Sequence, residues 1–110
     1  MATLVFDQEY RIARDTPSDI NEHIEVLKNL ADSVEHVTEM GTRTGVSTRA
    51  FLAADVTLRA YDLFLDGYVS QLFELAQKEG KDAKYIEANV LESEIDETDL
   101  LFIDTWHCYD

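Results

Sequence analysis

Apolar residues recur along this chain with the period of helices in some stretches and as short strand-like runs in others. Ile20, Ile24, Leu27 and Ala31 are three to four positions apart and share one helical face. Thr16-Pro17-Ser18-Asp19 precedes them. Proline fits a first helical turn and its hydroxyl and carboxylate neighbours cap free amides, so the pattern predicts a helix from there to about Asp32. His23 falls at the border of that face and takes a packing or surface role. Residues 34–39 then read as a strand, 40–45 as a turn, 46–54 as a helix and 57–63 as a second strand. Val69, Leu72, Phe73 and Ala76 have helical spacing within 67–79, and Gly80 stands where helices commonly end. Residues 84–90 form a third strand candidate. Leu100-Leu101-Phe102-Ile103 is a continuous apolar run, as in a parallel strand covered on both faces. Between Val90 and Asp99 few apolar residues keep a helical spacing, and a short irregular connection is predicted.

The order helix, strand, helix, strand, helix, strand, strand predicts an α/β fold: a three-layer parallel sheet with right-handed crossovers. The 110 residues suffice for one compact domain, with residues 1–33 as an N-terminal extension and helix and 34–110 carrying the sheet.

Charge narrows the partners. The formal net charge of -14 repels phosphate backbones and anionic membranes, which argues against nucleic acid and membrane as partners. Acids outnumber bases 9 to 5 in residues 1–54 and 14 to 4 in 55–110. The densest cluster, Glu92, Glu94, Asp96, Glu97 and Asp99, reads as a solvated loop feeding a strand. Cys108 is the single cysteine, which excludes an intrachain disulfide and a cysteine-rich metal site and fits a reducing, cytoplasmic setting. The longest apolar run, residues 50–54, is too short to span a bilayer.

In parallel α/β sheets ligands bind beyond the carboxyl ends of the strands, so the residues just after each strand carry the functional information. Glu39-Met40-Gly41-Thr42-Arg43-Thr44-Gly45-Val46-Ser47 is a glycine-containing turn from strand to helix. Glycine permits a sharp bend and close approach of a ligand, and the helix start offers free amides. A purely structural turn is the competing reading. Asp62 ends the next strand 21 positions after Gly41, where a carboxylate can accept hydrogen bonds from both hydroxyls of a ribose. Asn89 can read an adenine edge, with Val90 as an aliphatic wall; a turn asparagine is the alternative. Asp104-Thr105-Trp106-His107 follows the most apolar strand, and an acid near a histidine suits proton transfer or a hard metal ion.

This order of motifs resembles class I S-adenosylmethionine-dependent methyltransferases, in particular the subgroup of macrolide-sugar and related small-molecule O-methyltransferases. The resemblance runs from about Val34 to Asp110. It implies that the turn bearing Glu39, Gly41, Thr42, Arg43, Gly45 and Ser47 lies against the methionine part of the cofactor. Asp62, with Leu63 beside it, would hold the ribose, and Asn89 with Val90 would face adenine. The Asp104 segment would border the methyl group and the acceptor, with Asp104 and His107 as catalytic candidates and Asp104 as ligand of a divalent metal such as Mg.

Arg43 stands where many members have glycine, and Asn89 replaces a more usual aspartate. Neither change excludes the cofactor. A nicotinamide cofactor fits worse, because Gly41-x-x-x-Gly45 lacks the Gly-x-Gly-x-x-Gly spacing of a pyrophosphate turn. The resemblance further implies a sheet of seven strands in the order 3-2-1-4-5-7-6. This chain supplies the first four, so the expectation is a fragment: an incomplete half-sheet, 3-2-1-4, forming the cofactor-binding half of a domain. Its fourth strand would have an open edge, making residues 100–103 a candidate self-association site and the chain a candidate homo-oligomer. The expected activity is methyl transfer to a hydroxyl of a small-molecule acceptor; the alternative is a non-catalytic α/β module that associates through that edge.

Overall fold

The computed structural model describes residues 4–18, 21–42, 45–88 and 97–103. Helix α1 (Leu4–Asp15) leads through a single 3₁₀ turn (Asn21–His23) into α2 (Ile24–Asp32). Strands and helices then alternate: β1 (His36–Met40), α3 (Val46–Ala53), β2 (Thr57–Asp62), α4 (Gly67–Lys78), β3 (Ala83–Glu87) and finally β4 (Leu100–Ile103). The strands are all parallel, in the order β3-β2-β1-β4. This is the Rossmann-like half-sheet, in the order 3-2-1-4, that the resemblance implies.

Helix α1 has no counterpart among the predicted elements. Phe6, Tyr10 and Ala13 form a buried stripe along it at helical spacing. The start predicted for the next helix is also displaced. The Thr16 amide donates to the Ile12 carbonyl at 2.9 Å, so Thr16 closes α1 rather than opening α2. Asn21 then organises the connection, accepting from the Ser18 amide at 3.0 Å and donating to the Arg14 carbonyl at 3.3 Å. Ile24, Leu27 and Ala31 are buried as their spacing requires, His23 is exposed, and Ile20 lies outside the described residues. At the start of β1, Val34 still bonds back to Ala31, so the strand begins at His36.

The strand register separates the two faces of the sheet. Glu39 lies opposite Phe102 on one side and Ala60 on the other, and Ala60 lies opposite Tyr85. This row meets the helices: Glu39 bonds to residues of α3, Phe102 packs edge-on against Phe51 of α3, and Tyr85 stacks on Phe73 of α4. Helices α3 and α4 therefore share one face, with Val37, Leu58, Phe51, Val69 and Phe73 buried in the core between them and the sheet. On the opposite face a row runs Ile103, Met40, Tyr61, Ile86 across the four strands.

The expectation that residues 100–103 are covered on both faces is not met. Leu100 and Phe102 pack on the core, whereas Leu101 and Ile103 are 44% and 57% exposed. Asp99, which was expected to be merely solvated, has a structural job instead. Its Oδ2 accepts from the backbone amides of Glu35 and His36, both at 3.1 Å, and so anchors the start of β4 beside the start of β1.

Candidate functional site

The carboxyl ends of β1 and β2 lie side by side, and two turns rise from them. In the first turn Gly41 has φ 89° and its amide donates to the Tyr61 carbonyl at 2.8 Å, extending the ladder by one bond before the chain bends away. Gly45 has φ 88° at the N-cap of α3, a backbone region that side-chain-bearing residues rarely adopt. A Cβ on Gly45 would stand 2.7 Å from Val69 Cγ2, so the glycine also lets α3 approach α4 closely.

Glu39 is fully buried at the end of β1. The hydroxyl of Ser47 donates to one of its oxygens and that of Thr48 to the other, the latter at 2.8 Å. Both hydroxyls are themselves buried. A carboxylate removed from water needs such donors, and here they come from the first turn of α3, which the acid pins to the strand end. Ser47 therefore faces inward, onto Glu39.

Asp62, half-buried at the end of β2, accepts the Thr42 amide and the Thr42 hydroxyl on Oδ2 at 2.9 and 3.1 Å. Its Oδ1 accepts the Leu63 amide at 2.7 Å. Backbone and side chain together thus aim this carboxylate across the mouth between the two turns. Next to it, Leu63, Phe64 and Leu65 are exposed, Phe64 by 76%. Glu39, Gly41, Thr42, Gly45, Ser47, Asp62 and Leu63 are accordingly gathered at one end of the sheet. Arg43, Asn89, Val90, Asp104 and His107 lie outside the described residues.

Two groups beside the site escape a reading of the sequence. Tyr85 Oη lies 2.9 Å from Thr42 Oγ1 and accepts the Asp66 amide at 3.0 Å. Asp66 in turn caps α4, accepting the Tyr68 and Val69 amides at 2.9 and 3.0 Å. The second group ties α1 to the helices behind the turns. Glu9 Oε1 accepts from Arg49 Nε at 3.0 Å and from the Tyr68 hydroxyl at 2.5 Å, while the Arg49 guanidinium lies 4.8 Å from the Tyr68 ring centre. Burial alone would lower the pKa of Arg49, but the contacts with Tyr68 and Glu9 outweigh it and raise it, so the cation persists. Only the pattern of α1 itself, Phe6, Tyr10 and Ala13, offered a sequence signal for this group.

No family model and no curated protein matches the chain. Solved structures do. The SAH-bound methyltransferase PaMTH1 of Podospora anserina is 17% identical, with a TM-score of 0.57 over 94% of this chain and 50% of its own. A Klebsiella pneumoniae protein taken to be an O-methyltransferase is 20% identical, with a TM-score of 0.54 over 96% of this chain and 55% of its own. The chain shares the fold of these two structures. It spans about half the length of these two structures. Within this methyltransferase-like fold the glycine turn and Asp62 occupy the carboxyl end of the sheet, where open α/β folds place their ligands. A cleft lined by Glu35, Asp55, Glu79 and Asp82 opens at the amino ends of the strands and is remote from that site.

Proposed function

We propose that the chain binds S-adenosylmethionine at the carboxyl ends of β1 and β2 and serves methyl transfer to a hydroxyl of a small molecule. The observation that carries this reading is the Asp62 carboxylate, oriented by the Thr42 and Leu63 amides at the mouth beside two positive-φ glycines. An oriented carboxylate acceptor fits a ribose, whose neighbouring hydroxyls donate to the two oxygens of one acid. The fold likeness to an SAH-bound methyltransferase supports the same choice of cofactor.

On this reading Gly41, Thr42, Arg43 and Gly45 line the methionine side of the cofactor, and Glu39 with Ser47 holds that turn from beneath. Asp62 and Leu63 take the ribose, and Asn89 and Val90 the adenine. When bound, the cofactor supplies an electrophilic methyl group whose departure leaves a neutral thioether. The chain's part is to orient the reactants and to take up the acceptor's hydroxyl proton, a role given to His107 and Asp104. A divalent metal such as Mg on Asp104 belongs to the same proposal. Among the described residues no group of three or more His, Cys, Asp or Glu is arranged to hold a metal, and no step is assigned to one. No helix among the described residues is long and apolar enough to cross a membrane. The lone cysteine remains the ground for proposing a cytoplasmic setting.

Calorimetric titration with S-adenosylhomocysteine, with NAD as the control ligand, tests the reading. Asp62→Ala is expected to weaken S-adenosylhomocysteine at least about tenfold, because a charge-assisted hydrogen bond contributes about 1.5 to 3 kcal/mol. Asp62→Asn, which retains a side chain able to hold Thr42, separates loss of charge from loss of the turn. Equal affinity in all three proteins, each folded by circular dichroism, would remove Asp62 from the site.

A second reading is favoured by β4, which among the described residues pairs only with β1 and exposes Leu101 and Ile103. There the chain is a module that self-associates along this strand as a homo-oligomer. Light scattering separates the two readings: a monomer that binds S-adenosylhomocysteine excludes the second.

A further inference from the structure

Four groups at the site form one directed chain of hydrogen bonds. The Asp62 carboxylate can only accept, so the Thr42 hydroxyl spends its proton on it at 3.1 Å. Thr42 Oγ1 must then accept from Tyr85 Oη, at 2.9 Å. Tyr85 Oη in turn accepts the Asp66 amide at 3.0 Å, at the N-cap of α4. Each bond in such a chain polarises the next. Tyr85 therefore occupies the accepting side of the Thr42 hydroxyl, whose proton Asp62 takes.

We propose that Tyr85 is a positioning residue for ribose recognition: through Thr42 it fixes the Asp62 carboxylate in the orientation that receives the two ribose hydroxyls. The inference rests on the cofactor reading above and deepens it. Without the Tyr85 hydroxyl, Thr42 Oγ1 loses the donor that holds it in place and polarises it, and its bond to Asp62 Oδ2 weakens. The consequence falls on ligands that carry ribose hydroxyls and spares those that lack them.

Tyr85→Phe isolates the effect, because the ring keeps its stack on Phe73, with centres 5.1 Å apart and planes at 15°. The wild-type chain and the variant are titrated with S-adenosylhomocysteine and with its 2′,3′-dideoxy analogue. The variant is expected to lose about fivefold in affinity for S-adenosylhomocysteine, the scale of one neutral hydrogen bond, and nothing for the analogue. Thr42→Val breaks the same chain from its other side and is expected to lose at least as much affinity for S-adenosylhomocysteine. The double variant should lose no more than Thr42→Val alone, since both act through one path. An equal loss for both ligands, no loss, or additive losses in the double variant would overturn the role of Tyr85. Failure of the wild-type chain to bind S-adenosylhomocysteine would instead overturn the cofactor reading, and this inference with it.

Discussion

The Asp62 carboxylate holds Thr42 by both its backbone amide, at 2.9 Å, and its hydroxyl, at 3.1 Å, on a single oxygen. The ends of β1 and β2 are thus joined by a side chain just where the ladder between them stops. The placement of Gly41 and Thr42 above β1 is set by the protein's own groups.

Gly45 sets the spacing of α3 and α4. Gly45→Ala would force a Cβ to within 2.7 Å of Val69 Cγ2 at φ 88°. Strain of both kinds is expected to destabilise the fold by about 3 kcal/mol, some from the left-handed backbone and the rest from overpacking. Adding Val69→Ala should relieve the overlap but not the backbone strain. Urea denaturation of both single variants and the double variant then gives a favourable coupling of about 1 to 2 kcal/mol, and strict additivity would show that the two residues do not press on each other.

Glu39 anchors the first turn of α3. In Glu39→Ala the buried hydroxyls of Ser47 and Thr48 lose their acceptor and a cavity opens at the strand end. A loss of about 3 kcal/mol in unfolding free energy is expected. Glu39→Gln keeps the volume and one good acceptor and should cost less than half as much. Equal stability of the alanine variant and the wild type would mean that the acid holds nothing.

Thr38 points to the other sheet face, 1% exposed, and its hydroxyl has no hydrogen-bond partner among the described residues. Thr38→Val replaces that hydroxyl with a methyl group of the same shape. The variant should be more stable by about 1 kcal/mol, because an unpaired buried polar group is a net cost. Thermal unfolding checks the sign, and a lower midpoint would imply an unseen partner for the hydroxyl.

The alternation of elements was legible because the apolar stripes of α2 and α4 and the run at 100–103 are local patterns. The position of Asp62 at the end of β2 was legible from the apolar run that it closes. Helix α1 was hidden for a different reason: Thr16-Pro17-Ser18-Asp19 carries the chemistry of a helix start, yet that stretch follows one helix instead of beginning the next. Phe6, Tyr10 and Ala13 were the available signal. Tyr85 could not be read at all, since its partner Thr42 is 43 positions away and only the strand register brings them together. The same holds for Tyr68 and Glu9, 59 positions apart. Glu39 shows a further limit, because whether an acid at a strand end faces a ligand or the protein's own hydroxyls depends on packing.

The anchor between Asp99 and the His36 amide joins positions 63 apart in the chain and implies an order of assembly. Helices α1, α2 and α3 and the pair β1 and β2 come from one continuous stretch and meet after short loop closures. Strand β4 docks beside β1 only after nearly the whole intervening chain is placed, and closing that longer loop costs more entropy. Folding should therefore be limited by the arrival of β4: weakening the Asp99 clasp, as in Asp99→Ala, would slow that step while leaving the early collapse untouched.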